Sequence, residues 1–429
     1  MSWVRRLVIA LGALVLLTGI VLVALVLFIN PNDYKSTLVD LVKERYDRTL
    51  VIDGDIRLSV MPRLGLEIGG VSISEPHSNQ VFAAVDSARA AVAFWPLFSR
   101  HLVIEHLTLT GVKANVVRDA GGHFNFDDLL HAPAPAGEPV PAVTENPASA
   151  DGSIQLAVGS VTVSGGDVAL RDERQDMALR LERLNVSATG IATGKAFDVS
   201  AAARLLGQSP RADATVQVQA RLGVDAAEGR YSLRNLDLRM AGVLPSVKAN
   251  AFGARGDAAY DAQSGTLTLN SVSVGFQGDL ALATPLTNVD AQLVLPQLVL
   301  DTQGDRLAIE GLVGKAQGRL GAAPFTAAAD VPSLAVDDKA ASGGPVQLSY
   351  AQEGEGGMSV RLGLTGISGT AGRLAVAQAE LKASLRRHGR TAGIELTSPA
   401  TASLTGRTFA LSALDAKARI EGVACRRAV

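Results

Sequence analysis

From Leu50 onward the chain alternates apolar and polar residues, and that period of two confines it to β-structure. Ile56-Arg57-Leu58-Ser59-Val60, Leu64-Gly65-Leu66-Glu67-Ile68 and Val71-Ser72-Ile73-Ser74 open the pattern. Successive side chains of a strand point to opposite faces, so each run carries one apolar and one polar face. Gly54, Pro62, Gly69-Gly70 and Pro76 bound these runs and read as tight turns between short antiparallel strands. Val81–Phe98 continues as an apolar run into Phe94-Trp95-Pro96-Leu97. His101–Arg118 alternates again, clearest at Leu107-Thr108-Leu109-Thr110. Asp119-Ala120-Gly121-Gly122 is a turn, and Asn125-Phe126-Asp127-Asp128-Leu129-Leu130 starts a brief helix.

Ala132–Ala150 breaks the pattern. It holds Pro133, Pro135, Pro139, Pro141 and Pro147 with no apolar period, and reads as an exposed linker between residues 30–131 and a repetitive β-rich region, 151–429. Beyond it the alternation resumes at Val161-Thr162-Val163-Ser164 and Ala214-Thr215-Val216-Gln217-Val218-Gln219, and runs on through Val360-Arg361-Leu362. No long helical period interrupts it. Leu107–Asp119 and Val161–Asp172 echo each other, each running apolar-Thr-apolar-(Thr/Ser)-Gly and then to Arg-Asp. A series of similar hairpins is the expected plan. The apolar faces must meet something. A second sheet would close them into a sandwich, whereas a half-open sheet would leave them lining a groove.

Ahead of the strands stands Leu7–Ile29, twenty-three residues without a charge, seventeen of them Leu, Ile, Val or Phe. As a helix it rises roughly 35 Å, enough to cross a bilayer core of about 30 Å, and its insertion gains on the order of 5–10 kcal/mol. The run ends in Leu27-Phe28-Ile29-Asn30-Pro31, with bulky residues where signal cleavage needs small ones. It therefore reads as an uncleaved anchor, its apolar surface including Leu7, Leu11, Leu14, Leu17, Val21, Leu25 and Ile29. Arg5 and Arg6 keep residues 1–6 cytoplasmic and export the body. Tyr34, Leu38, Leu41 and Val42 then form one stripe of a short amphipathic helix, with Asn32 or Asp33 as its N-cap. That stripe either caps the fold behind it or lies on lipid.

The composition is 47% hydrophobic and 19% charged, with a net charge of −2. This excludes a disordered chain and any bulk attraction to nucleic acid. One cysteine, Cys425, excludes a disulfide framework and a cysteine metal site. Gly190–Lys195 is one residue short of a phosphate loop, and Ala196 stands where a magnesium-binding hydroxyl belongs. His77, His101, His106, His123 and His131 lack metal-site spacing. Asn125-Phe126-Asp127-Asp128 lacks the alternating oxygens of a calcium loop. No catalytic residue, cofactor or metal is expected.

In order and spacing, the anchor, Asn30-Pro31-Asn32-Asp33-Tyr34, Ser59–Ile73, Trp95-Pro96-Leu97-Phe98 to Leu107-Thr108-Leu109-Thr110-Gly111, and Gly121–Leu130 resemble the AsmA family of bacterial inner-membrane proteins. The resemblance covers the first 130 residues; beyond Gly152 it is one of β-rich style. It implies a single-pass protein of the inner membrane with a periplasmic body: an all-β, elongated, curled antiparallel sheet with an apolar groove, similar in plan to chorein-type bridge proteins. It further implies phospholipid transport to the outer membrane and support of outer-membrane biogenesis, with a scaffold or regulator of outer-membrane protein assembly as the alternative. Family members are usually longer than this sequence. The expected partners are the inner membrane, phospholipid acyl chains, and outer-membrane proteins or their assembly factors. Leu107, Leu109, Val161, Val163, Val216 and Val218 are the candidate lipid-facing residues.

Overall fold

The computed structural model describes residues 31–59, 64–93, 101–130, 155–191, 195–225, 227–388, 390–403 and 408–421. The anchor, the Pro/Ala-rich segment and Cys425 lie outside them. Among the described residues no helix is long and apolar enough to cross a membrane. The chain divides into two units, residues 1–192 and 193–429.

Unit 1 opens with a 3-10 turn, Pro31–Tyr34, and helix α1, Lys35–Tyr46. The helix differs from expectation at its start. Tyr34 occupies the N-cap without a side-chain capping bond. The Asn32 amide instead brackets Ile56, donating to its carbonyl at 3.1 Å and accepting from its N–H at 2.8 Å. The stripe residues Tyr34, Leu38 and Leu41 remain exposed. Strands β1 (Leu50–Ile52) and β2 (Ile56–Ser59) both pair with β3 (Leu64–Ser74). Gly69-Gly70 thus lies inside a strand rather than at a turn. Gly70 takes φ +51°, so the pair kinks β3 without ending it.

Next come β4 (Val81–Val92), β5 (His101–Thr110), β6 (Lys113–Arg118), the short helix α2 (Asp127–Leu130), β7 (Gln155–Val158), β8 (Ser160–Asp172) and β9 (Met177–Thr189). Strands β5 and β6 flank β4 antiparallel on one side and run parallel to β7 and β8 on the other. The two echoing segments are therefore in-register neighbours, Leu107 beside Val161, Leu109 beside Val163 and Arg118 beside Asp172. They are not successive hairpins. A parallel pairing needs a crossover of a dozen or more residues, and the chain between β6 and β7 has that length.

Unit 2 is an antiparallel meander: β10 (Phe197–Ser209), β11 (Ala212–Asp225), β12 (Arg230–Leu244), β13 (Val247–Asp261), β14 (Thr266–Leu280), β15 (Leu286–Asp301), β16 (Arg306–Leu320), β17 (Ala323–Val336), β18 (Ala341–Gly343), β19 (Val346–Gln352), β20 (Met358–Thr370), β21 (Arg373–Arg387), β22 (Arg390–Ser403), β23 (Thr408–Leu411) and β24 (Asp415–Glu421). Strands of up to 16 residues do not stay flat. Bulges interrupt the register between Leu233 and Leu236, and again between Arg255 and Asp257. At the first, Asn235 takes φ +52° and its N–H donates to Asp257 Oδ1 at 2.7 Å. Asn288 repeats the device with Asp279 Oδ1 at 2.9 Å. Such bulges bend strands and increase their twist.

The turns at one end of the meander share a second device. Asp261 Oδ1 accepts from the N–H groups of Gln263 and Ser264, Asp301 Oδ1 from Gln303 and Gly304, and Asp337 Oδ1 from Lys339 and Ala340. Asp225 caps Glu228 likewise, and Asp172 does so in unit 1. Four residues after Asp172, Asp225, Asp261 and Asp301 stand Asp176, Gly229, Gly265 and Asp305, all at positive φ. A side chain that satisfies turn N–H groups, followed by a left-handed residue, closes each hairpin.

Candidate functional site

Cross-strand partners share a face, so the register assigns each side chain to one side of its sheet. In unit 1 one line of partners reads Leu58, Leu66, Ala90, Leu107, Val161, Ala188. The next reads Ile56, Ile68, Ala88, Leu109, Val163, Val186. The structure thus brings Leu107, Leu109, Val161 and Val163 together as one block on one face.

In unit 2 the lines are longer and equally apolar. One runs Ala203, Val216, Met240, Phe252, Phe276, Ala291, Ala316, Ala327, Tyr350, Val360, Ala383, Ile394, Ala418. Its neighbour begins Ala201, Val218, Leu238, Ala254, Val274, Leu293 and ends Leu362, Leu381, Leu396, Ala416. Val216 and Val218 lie on these lines, on β11. The line between them is the other face, with Gln217, Arg239, Gln292, Lys315, Arg361, Lys382 and Glu395.

Exposure shows what meets the apolar face. In a sandwich these residues would be sealed. Leu293 is instead 37% exposed, Leu348 42% and Ile394 52%. Buried apolar residues gather only into small clusters among the described residues, Ile367, Val376 and Ala400, and beside them Val336, Ala341 and Ala371, with Val289, Leu295 and Phe325 buried elsewhere in unit 2. Tyr231 and Tyr260 stack at 6.5 Å between ring centres near one rim, each about half exposed.

Part of the polar face neutralises itself locally. A shallow depression of about 590 Å³ lies there, lined by Gln217, Asp237, Arg239, Arg255, Ser273 and Gln292. Asp237 takes Arg239 at 2.7 Å and Arg255 at 3.3 Å, and the Arg239 hydrogen bond first of all holds its carboxyl below the usual range. No group of three His, Cys, Asp or Glu among the described residues is placed to hold a metal. His106 lies on the polar face of unit 1, its Nδ1 2.6 Å from Ser160 Oγ.

One constellation escaped sequence reasoning. Arg48, between α1 and β1, is fully buried. Its Nε and Nη2 grip Asp128 at 2.7 and 2.6 Å, and Nη1 donates to the Ser74 carbonyl at 2.8 Å. The guanidinium lies 5.1 Å over the Phe82 ring, which neighbours Phe126 at 6.4 Å. The Arg48 hydrogen bond lowers the Asp128 pKa. Asp128 is thereby committed to holding α2 against the sheet, and Asp127 caps the N–H of Phe124 at 2.9 Å. No local signal marks an arginine whose partner is 80 residues away.

A family model described as the AsmA family matches residues 3–298, more than half of the chain. The chain is similar to Protein AsmA of Escherichia coli (strain K12), at 34% identity over 107 residues. That stretch is 25% of this chain and 17% of the relative. No solved structure matches.

Proposed function

The chain belongs to the AsmA family, and from that premise we propose that it is a membrane-anchored envelope protein whose apolar sheet face binds or conveys phospholipids between inner and outer membrane, in support of outer-membrane biogenesis. The observation that carries the reading is the unbroken apolar lettering of the unit 2 lines, combined with their exposure: Leu293, Leu348 and Ile394 stand open to solvent. Burying a side chain of this size is worth about 1.5–3 kcal/mol, so a face of this extent left in water favours an apolar occupant. Acyl chains fit, because they need length and apolarity rather than polar recognition along the way. The apolar face of each unit then acts as a groove, lined by Leu107, Leu109, Val161 and Val163 in unit 1 and by Val216 and Val218 in unit 2. Leu7–Ile29 is the single-pass anchor, the N-terminus is cytoplasmic and the body periplasmic. The activity is non-enzymatic.

The test uses the full chain in its membrane. A photoreactive side chain at Leu348 should capture phosphate-labelled lipid. Val216→Asp combined with Val218→Asp should abolish capture while the strands keep their hydrogen-exchange protection. An unfolded double variant, or no lipid adduct at any position of the apolar face, would overturn the reading. A second reading is favoured by β24, whose residues are exposed throughout and which, among the described residues, pairs with β22. Such an edge accepts a further strand, as a scaffold for outer-membrane protein assembly would require. Polypeptide adducts at Ile420 in place of lipid would select it.

A further inference from the structure

One hairpin end on the apolar face sets two like charges opposite each other. Strands β21 and β22 finish with Arg387 directly opposite Arg390. Like charges in opposed positions destabilise a sheet, and both side chains are exposed without an ion-pair partner among the described residues. The register puts this pair on the same face as Leu385 and Ala392, two residues further in, and so in line with Met358 and Ile420. Met358 is 39% exposed, Leu385 47% and Ile420 67%. An open apolar line thus ends in two guanidinium groups.

No carboxylate among the described residues makes an ion pair with either arginine, although that of Glu355 lies beside the hairpin. Arg386 belongs to the opposite face, in line with Thr391 and Glu421. Glu355, in the turn between β19 and β20, has its carboxylate engaged by the His388 backbone N–H.

Resting on the lipid-binding reading above, we infer that Arg387 and Arg390 form a headgroup site for anionic phospholipid at a membrane surface, with the acyl chains entering along Met358, Leu385 and Ile420. An arginine fork matches phosphate oxygens in a bidentate manner. A shared phosphate between the two groups converts a repulsive pair into a bridged one. The same end of the sheet then supplies both halves of a phospholipid's chemistry, and it is where lipid enters or leaves the face.

The experiment uses the full chain held in a neutral nanodisc and asks it to capture vesicles of phosphatidylglycerol in phosphatidylcholine. Each arginine near an anionic surface contributes roughly a fivefold factor. R387Q/R390Q should therefore weaken capture by about twenty-five-fold, while lipid cross-linking at Leu348 continues and the fold becomes slightly more stable. R386Q removes an equal charge from the opposite face, within a Debye length of the same surface, and should weaken capture less than a single substitution at Arg387. Capture by R387Q/R390Q equal to wild type overturns the inference. So does an R386Q loss as large as that of a single Arg387 substitution, or equal capture of vesicles made of phosphatidylcholine alone. Loss of cross-linking at Leu348 in the unsubstituted protein would instead strike the lipid-binding reading itself, so the two failures are separable.

Discussion

Units 1 and 2 are written in the same alternation, yet they use different side chains to stay folded. Unit 1 ties elements that are distant in sequence: Arg48 binds Asp128, Arg118 meets Asp172 at 3.4 Å across parallel strands, and Phe82 neighbours Phe126 at 6.4 Å. Unit 2 relies on strands beside their sequence neighbours, on bulges caught by Asp257 and Asp279, and on Asp-capped turns. A sheet that begins with a helix and a crossover needs long-range ties, because nothing local holds those pieces. A meander does not, since each hairpin brings its own partner. The difference teaches that an open apolar face is compatible with a defined fold when turns and bulges set the register.

The sharpest way to break this contrast is to remove the buried cation. Arg48→Met leaves Asp128, the Ser74 carbonyl and the Asn125 carbonyl without their donor; Asp128 is partly exposed, so the loss of these charge-assisted hydrogen bonds should cost about 2–3 kcal/mol. Hydrogen exchange should rise through α1, β1, β3 and α2 and stay unchanged in β11 to β16. Faster exchange in unit 2 would show that its stability depends on unit 1. A smaller effect is expected at a bulge of unit 2. Gly256 has φ +145°, and a Cβ there would lie 2.9 Å from Val272. Gly256→Ala should therefore cost roughly 1–3 kcal/mol, read as a lower denaturation midpoint with protection lost first around β12 to β14. Smaller again is Asp301→Ala, which strips two N–H groups in an exposed turn of their acceptor; about 1 kcal/mol is expected, confined to the β15–β16 hairpin.

Acid sharpens the same comparison. Asp128 in unit 1 is lowered by the Arg48 hydrogen bond, and Asp337 in unit 2 by the N–H groups of Ala340 and Lys339. A carboxyl whose folded pKa is lowered stabilises fully above its unfolded value, about 3.9, and loses that stabilisation as pH falls through the folded value. Both units should therefore weaken below about pH 4. Arg48→Met should abolish the Asp128 share in unit 1 and leave the Asp337 share in unit 2. A variant with unaltered acid sensitivity in α2 would show that Arg48 does not hold Asp128.

Much of this was legible in the residues themselves. Val216-Gln217-Val218-Gln219 and Val360-Arg361-Leu362 announce strands with one apolar face, because side-chain direction in a strand depends only on position along the chain. What the alternation does not carry is partner choice. The echo of Leu107–Asp119 in Val161–Asp172 was visible, but nothing local distinguishes a parallel neighbour from a further hairpin. Gly69-Gly70 looks like a turn because glycine serves bends and turns alike, and β3 simply bends there. The Asp that closes each turn had a signal of its own: Val224-Asp225, Tyr260-Asp261, Leu300-Asp301 and Val336-Asp337 all place Asp directly after the last apolar residue of a strand. The lipid-facing candidates were found through periodicity, whereas Arg387 and Arg390 gain their meaning only once the register sets them opposite each other.

Those four aspartates recur at intervals of 36 to 40 residues, and each of β11 to β16 pairs only with the strand before and the strand after it. Such a sheet behaves as a quasi-one-dimensional array, like solenoid repeats. Its length is a modular quantity. Duplicating or excising one two-strand repeat changes the array by roughly 10 Å, twice the strand spacing, while strand direction, side-chain facing and turn chemistry all carry through the splice. Span can thus evolve by gene duplication alone, with no redesign of the surface that is being lengthened.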